Sequence, residues 1–280
     1  PEWFIPWYEL IIDKWSKLGS GGFGSVYQGT WLDSDVVVKL VGVKTQITPE
    51  QRAKATTTFR READIWFGLN HPHVIRLFGA CHVGRPFFVC EYATNGTLVS
   101  YLQKHPDQLW TKLHEAALGV QYLHARNVVH GDLKGNNIVV GSDFKAKVTD
   151  FGLSSITDSE AKPEVSAAVH WVAPECLPQT KSKLQTLETE RPTFASDIYS
   201  LGMCIVEALR VVEAVTLHKD ASRCLPWGLA DQMAVKYHVR QGKLPPRPTI
   251  CDDRLWELVE RMCVLNPKKR IKISTVVDEL

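Results

Sequence analysis

The run His130-Gly131-Asp132-Leu133-Lys134-Gly135-Asn136-Asn137 places a carboxylate, an ammonium and an amide within six residues, in a loop that follows a helix-patterned stretch. Asp132 can take the proton of an attacking hydroxyl. Lys134 can balance negative charge on a group in transfer, and Asn137 can ligate a divalent cation while bracing Asp132. Thirteen residues after Asn137 comes Asp150-Phe151-Gly152, just past the turn-forming Gly141-Ser142-Asp143. Asp150 is a second oxygen ligand that a hairpin would bring to the same edge as Asn137. Either run alone is also an ordinary polar turn. In this order and spacing they point to metal-assisted phosphoryl transfer.

Two further groups upstream suit the same chemistry. Gly19-Ser20-Gly21-Gly22-Phe23-Gly24-Ser25-Val26 lies between two strand patterns, not between a strand and a helix, which argues against a dinucleotide fold. Without Cβ atoms its glycines let backbone N–H groups approach phosphate oxygens, and Phe23 at the tip can cap them from water. A plain glycine-rich hairpin has the same composition. Thirteen residues after Val26, Val36-Val37-Val38 carries Lys39 at the end of a β-branched run. Most lysines are merely solvated, but one on a strand buried on both faces needs an anion. Glu62 is the natural partner, on a helix whose Phe59, Trp66 and Leu69 are spaced to face a sheet. Such a pair would hold the ammonium against the α- and β-phosphates of a nucleotide.

The elements that must position these groups are legible. From Trp15 to Val43, alternating β-branched and polar residues broken by glycine predict a short antiparallel sheet. Thr48 as N-cap, Pro49 at the first helical position and Gln51 completing a capping box predict a helix from Pro49 to about Gly68. Strands follow at Val74 to Phe78 and Phe87 to Tyr92, then a helix over Trp110 to Arg126 with Leu113, Ala117, Val120 and Leu123 on one face. Short strands at Asn137 to Val140 and Lys145 to Val148 flank the turn, and the second half is mostly helical. The stretches Leu177 to Thr193 and Thr216 to Arg223 read as surface insertions. The opening Trp3, Phe4, Ile5, Trp7, Tyr8 and Leu10 form an apolar lead-in expected to pack on the back of the domain.

Composition narrows the class. The chain has 280 residues, 44% hydrophobic and 23% charged, enough for one large domain or two lobes. With 33 basic against 31 acidic residues, bulk charge does not choose a nucleic-acid partner. The seven cysteines show no C-x-x-C pair and no metal-ligand spacing, so free thiols in a reducing, cytoplasmic compartment are expected. No apolar run reaches membrane-spanning length, and no membrane contact is expected of this segment. The absence of an initiator Met reads as a piece of a longer protein.

The ordered set resembles the eukaryotic protein kinase domain over about Trp15 to Ile273, with glycine-rich loop, strand lysine, helix glutamate, catalytic loop and Asp-Phe-Gly in sequence. Ala173-Pro174-Glu175, Asp197-Ile198-Tyr199-Ser200-Leu201-Gly202 and Arg270 complete it. The resemblance implies an α+β, bilobal fold: an N-lobe of about 1–92 with an antiparallel sheet and one main helix, a hinge near 91–95, and a mostly helical C-lobe of about 96–280. It implies Asp132, Lys134, Asn137, Lys39 and Glu62 as catalytic residues. ATP would be bound by Leu18, Gly19, Gly21, Gly24, Val26, Val37, Lys39, Cys90, Glu91, Ala93, Val139 and Asp150. Mg²⁺, with Mn²⁺ as a substitute, would be held by Asn137 and Asp150. Cys90 falls at the gatekeeper position, Glu91 and Ala93 offer backbone groups to adenine, and Val26, Val37 and Val139 flank its ring. Leu77, Trp66, His130 and Phe151 fill the stacked apolar set of active kinases, with Trp66 bulkier than is usual.

Lys134 resembles the Ser/Thr pattern. The runs Phe78-Gly79-Ala80-Cys81, Asn95-Gly96-Thr97-Leu98 and Trp171-Val172-Ala173-Pro174-Glu175 lean toward the tyrosine-kinase-like group of Ser/Thr kinases. The implied activity is transfer of the ATP γ-phosphoryl group to a Ser or Thr hydroxyl of a protein. Three departures stand out. Gly131 replaces the usual arginine, so the cation that pairs with activation-segment phosphate is missing, with Arg60, Arg61 or His170 left to compensate. Ala168 replaces the usual Thr or Ser, and Val37 replaces a smaller Ala. Two rival readings follow: a pseudokinase that binds nucleotide or partners without catalysis, and a small-molecule phosphotransferase of the aminoglycoside or choline kinase type. The Ala-Pro-Glu run, the Asp197 helix start and Arg270 argue against the second, and the complete catalytic set argues against the first.

Overall fold

A computed structural model of the chain describes residues 1–21, 24–42, 48–151, 169–178, 191–228 and 231–280. Gly22, Phe23, Gly152, Ala168, the hydroxyls of Ser154, Ser155, Thr157, Ser159 and Ser166, and most of the 177–193 insertion lie outside the described residues. The chain divides into two compact units, one holding Pro1–Thr94 and one holding Asn95–Phe151 with the described residues that follow.

The first unit is built on a five-stranded antiparallel sheet in the order β1-β2-β3-β5-β4. Its strands are β1 (Leu10–Gly21), β2 (Gly24–Trp31), β3 (Ser34–Val41), β4 (Leu77–Cys81) and β5 (Phe87–Glu91). Alternation sorts β3 and β5 onto two faces. Val36, Val38, Phe87 and Val89 form one apolar layer with Ile5 and Cys81, backed by Leu10, Ile12, Trp31 and Phe78. Lys39 lies on the other face, paired in register with Phe88. There Phe88 packs on Phe59 and Trp66 of helix α1 (Pro49–Phe67), at ring separations of 4.5 and 5.6 Å. The strand that carries the lysine is therefore buried on both faces, as its β-branched run predicts.

Helix α1 begins where the capping box predicts: Gln51 N donates to Thr48 Oγ1 at 3.2 Å, and Thr48 N donates to Gln51 Oε1 at 2.9 Å. It ends at Gly68. Strand β4, expected from Val74, starts at Leu77. The carbonyl of Ile75 accepts from the Trp66 indole at 2.8 Å, so the chain before Leu77 gives its polar groups to a side chain instead of a ladder.

The apolar lead-in is also divided. Trp3 and Ile5 are buried: Ile5 N donates to Ala80 O at 2.9 Å, Ala80 N donates to Trp3 O at 2.7 Å, and the Trp3 indole reaches Asp64 of α1 at 2.5 Å. Trp7 and Tyr8, expected to pack on the back of the domain, are exposed, because Pro6 ends the extended segment and the chain turns along the surface through Trp7–Glu9.

The second unit contains α2 (Leu98–Lys104), α3 (Leu109–Ala125), α4 (Phe194–Thr216), α5 (Gln232–Arg240), α6 (Asp253–Met262) and α7 (Ile273–Glu279), with one hairpin of β6 (Ile138–Val140) and β7 (Ala146–Val148). Leu113, Ala117, Val120 and Leu123 are all fully buried on one face of α3, as their spacing predicts. The same helix pins the hairpin. Lys112 Nζ donates to the carbonyl of Phe144 at the turn and pairs with Glu115 at 2.9 Å, and Glu115 accepts from Ala146 N at 2.7 Å. Thr149 N donates to Asn137 O at 2.9 Å, tying the two ends of the hairpin together. Helix α4 starts on a Thr193–Ser196 capping box and is buried through most of its length. All seven cysteines are unbridged, and no helix among the described residues is long and apolar enough to cross a membrane.

Candidate active site

In the second unit the catalytic-loop residues converge on Asp132. Asn137 Nδ2 donates to the Asp132 carbonyl at 2.7 Å and to its Oδ2 at 3.0 Å. Lys134 Nζ stands 3.8 Å from the same carboxylate, whose side chain keeps 45% of its exposure. The carboxylate is thus held by one neighbour, flanked by a cation and open to an incoming group. Desolvation by the surrounding loop raises its pKa above the ordinary value, while Lys134, His130 and the Asn137 hydrogen bond oppose the rise.

The loop is clamped from beneath by Asp197, in the first turn of α4. Its carboxylate accepts from His130 N at 2.8 Å and Gly131 N at 2.9 Å, and lies 2.8 Å from His124 Nε2. His130 is fixed in one tautomer. Its Nδ1 accepts from Asp132 N at 3.1 Å, so Nε2 carries the hydrogen and donates to Thr149 O at 2.7 Å. Burial holds this imidazole below its ordinary pKa, consistent with a neutral ring. Thr149 precedes Asp150, so the histidine links the catalytic loop to the expected metal ligand. Asp150 adopts a left-handed φ of 60°, which a short polar side chain tolerates, and Phe151 packs edge-on against His130 at 6.1 Å.

Both Asn137 Nδ2 hydrogens are committed to Asp132, which leaves the Oδ1 lone pairs for a cation. Among the described residues no three His, Cys, Asp or Glu side chains gather into a metal cage. The Asn137 amide oxygen and the Asp150 carboxylate are the oxygen ligands that would suit Mg²⁺, which would supply positive charge to phosphate oxygens.

In the first unit Lys39 is 6% exposed, with its ammonium 5.5 Å over the Trp66 ring. Glu62 is half-buried on α1, one turn before Trp66 and so on the same face. The bulk of Trp66 is accommodated by its hydrogen bond to Ile75 O. Cys90 is fully buried and pairs in register with Val37 of β3 and Leu77 of β4. Val26 is half-buried, Leu18 exposed, and Ala93 half-buried beyond β5. Glu91 N donates to Arg76 O at 3.0 Å. Gly24, paired with Gly21 at the end of β1 and β2, has φ 132°, and a Cβ there would sit 2.2 Å from Leu40 O. Sheet packing alone therefore demands glycine at this position. Val139, on β6 of the second unit, is half-buried.

A sequence model of the family described as protein tyrosine and serine/threonine kinase matches residues 12–280. The chain belongs to this protein kinase family. Relatives agree. The kinase domain is 30% identical over 291 residues to the serine/threonine/tyrosine-protein kinase HT1 of Arabidopsis thaliana, covering all of this chain and 67% of that protein. It is 28% identical over 277 residues to the probable serine/threonine-protein kinase drkD of Dictyostelium discoideum, covering 96% of this chain and 19% of that one. The receptor tyrosine-protein kinase erbB-4 of Homo sapiens is 27% identical over 281 residues, with 97% and 20% covered. The chain thus spans from about a fifth to two thirds of these relatives.

Other family features are in place. Arg270 makes a bidentate pair with Glu175 of Ala-Pro-Glu at 2.6 and 2.8 Å, and also donates to Ala195 O and Val264 O. One sequence-based expectation needs correction. His170, named as a cation able to replace the missing arginine, is buried, accepts from Trp227 N at 3.3 Å through Nδ1, and has its pKa lowered by burial. It is a neutral structural group. Sequence reasoning also passed over His124 and Glu207. The latter had a signal: a lone acid between Val206 and Ala208 in an otherwise apolar run, where a charge must be partnered.

Proposed function

We propose that this kinase domain, residues 1–280 as one domain, transfers the γ-phosphoryl group of ATP to Ser or Thr hydroxyls of a protein substrate. The observation that carries this reading is the restrained yet open Asp132 carboxylate, oriented by Asn137 and flanked by Lys134. In this reading Asp132 accepts the proton of the substrate hydroxyl as its oxygen attacks phosphorus, and Lys134 offsets charge on the phosphoryl oxygens. Lys39 holds the α- and β-phosphates, with Glu62 fixing its ammonium. Asn137 and Asp150 would hold Mg²⁺, which neutralises phosphate charge when bound.

The remaining assignments concern the nucleotide. Gly19, Gly21 and Gly24 present backbone amides to phosphate; Leu18, Val26, Val37 and Val139 contact the adenine ring. Because Glu91 N–H is already taken by Arg76 O, Glu91 would meet adenine through its carbonyl, with Ala93 supplying the donor. Cys90 acts as a small gatekeeper. The Ser/Thr preference is supported by Lys134 and by the relative drkD, named as a probable serine/threonine-protein kinase. Incubation with γ-labelled ATP, a generic protein substrate and an aminoglycoside, followed by phosphoamino-acid analysis, tests the proposal. Labelled phosphoserine or phosphothreonine is expected; label in the aminoglycoside, in phosphotyrosine alone, or nowhere would overturn it.

A further inference from the structure

Lys112 faces inward from α3 and is 3% exposed, a place where lysine is rare and its ammonium is costly unless partnered. Three elements supply the partners. Glu115 of α3 lies 2.9 Å from Nζ, the carbonyl of Phe144 accepts from the β6–β7 turn, and the Tyr101 ring of α2 is centred 5.8 Å away. The Glu115 oxygen that meets the lysine, Oε2, also accepts from Ala146 N at 2.7 Å, so lysine and acid together grip the backbone on both sides of Lys145. At Phe144 the contact is made by backbone alone. Its ring is exposed, and its φ of 61° is a conformation that a bulky residue keeps only where its surroundings hold it. The β6 arm is held by other groups: Asn95 N donates to Val140 O at 3.0 Å and Val140 N donates to Gly96 O at 2.8 Å, just before α2 starts at its N-cap Thr97. Helix α2 is thus joined to the hairpin and also covers the lysine that holds its turn. Asn137 directly precedes β6, Val139 lies on it, and Asp150 follows β7 by two residues. The hairpin gripped by Lys112 carries all three.

We propose that Lys112 is a positioning residue, which through the Phe144 carbonyl sets how the β6–β7 hairpin presents Asn137, Asp150 and Val139 to Mg²⁺ and nucleotide. This rests on the assignment of Asn137 and Asp150 as the metal ligands. An apolar side chain of similar length fills the same space but gives the buried turn no donor. The turn then leans away from α3, and both ligands move with the arms that carry them. The protein-substrate side is anchored elsewhere: Arg270 pairs with Glu175, and Ser200 Oγ donates to Trp171 O at 2.7 Å. Loss of Lys112 therefore falls on Mg²⁺ and ATP and leaves the peptide KM unchanged.

The test compares Lys112→Met, which removes the donor to the turn, with Tyr101→Leu, which removes the ring over the ammonium and leaves that donor in place. Isothermal titration calorimetry with a non-hydrolysable ATP analogue, repeated across Mg²⁺ concentrations, reads binding apart from transfer. Lys112→Met should raise both the Mg²⁺ concentration needed for half-maximal binding and the ATP KM by about tenfold, the lower range for loss of a group that supports metal ligands. Both variants should lower the denaturation midpoint, but Tyr101→Leu should keep its Mg²⁺ requirement within a few-fold of wild type. Unchanged Mg²⁺ and ATP dependence in Lys112→Met would overturn the proposal, as would a peptide KM raised as much as the ATP KM. An equal Mg²⁺ defect in Tyr101→Leu would also overturn it, because lost stability would then explain both. In ¹⁵N-lysine-labelled wild-type protein, the Lys112 side-chain resonance, assigned by Lys112→Arg, should shift when Mg²⁺ is added to the analogue-bound domain. A resonance indifferent to Mg²⁺ decides against the proposal even if Lys112→Met fails to fold. A wild-type domain that binds Mg²⁺ and the analogue but transfers no phosphate removes the kinase reading alone, and one that binds neither removes both.

Discussion

The Asn137 side-chain amide donates to both the backbone carbonyl and the carboxylate of Asp132, at 2.7 and 3.0 Å. One side chain thus sets the position of the loop and the aim of its acid. Replacing Asp132 with Asn keeps the shape and removes the base. Phosphoryl transfer should fall by about 10²- to 10⁴-fold, the usual worth of a general base, with ATP KM changed little. Because desolvation raises the Asp132 pKa, the acid limb of the kcat/KM profile should lie above the ordinary value of 3.8. Steady-state kinetics across pH check both, and near-wild-type transfer by purified Asp132→Asn protein would remove Asp132 from the mechanism.

The Lys39 ammonium lies over the Trp66 indole, and Glu62 precedes Trp66 by one helical turn, on the same face of α1. If the two charges act as one pair, their losses overlap. Lys39→Met and Glu62→Gln should each depress kcat/KM, and the double variant should be little worse than the poorer single one. The coupling expected of groups in direct contact is about 0.5–3 kcal/mol. Independent, additive losses in the double-mutant cycle would show that the pair is not coupled.

Glu207 also carries a stability prediction with a definite sign. Its pKa is raised from 4.5 to about 7 in the folded protein. Between these values the folded state binds more protons than the unfolded state, so this group's contribution to stability falls as pH rises through the window. The full difference is on the order of 3 kcal/mol. Urea denaturation at pH 5 and pH 8 should show wild type losing stability relative to Glu207→Gln at the higher pH. Parallel pH dependence in the two proteins would contradict the raised pKa.

Much of this was readable from the residues because local chemistry and global fold agree. Thr48 and Gln51 specify the start of α1 by side-chain hydrogen bonds that need no tertiary partner, and the spacing of Leu113, Ala117, Val120 and Leu123 needs only a helix with one apolar side. What was illegible depends on how neighbouring groups are arranged in space, which spacing along the chain does not give. The fate of Trp7 and Tyr8 is decided by where Pro6 turns the chain, and the start of β4 by an indole nine residues away that takes the carbonyl of Ile75. His170 reads as a cation only until burial is known. Glu207 needs two donors, at Gly135 and Trp171, that no periodicity reveals.

Gly131, expected from the resemblance to fall where arginine is usual, also has a backbone reason to be glycine. Its φ is 82°, in the left-handed region, and its N–H is fixed to Asp197 at 2.9 Å. A Cβ would meet Pro192 at an ordinary 3.5 Å, so a side chain can start from this position, but its backbone conformation is strained by about 1–2 kcal/mol. Gly131→Arg should therefore fold with a lower denaturation midpoint. The wild-type loop offers no cation at this position to a phosphate on the segment after Asp150, and the neutral, buried His170 does not replace it. Phosphorylation there has little charge to neutralise, so phosphatase treatment should leave specific activity within a few-fold. Gly131→Arg restores the cation, and its activity should become dependent on phosphorylation despite the lost stability. Complete loss of wild-type activity on dephosphorylation, recovered by rephosphorylating one hydroxyl of that segment, would show that another cation has assumed the arginine's role.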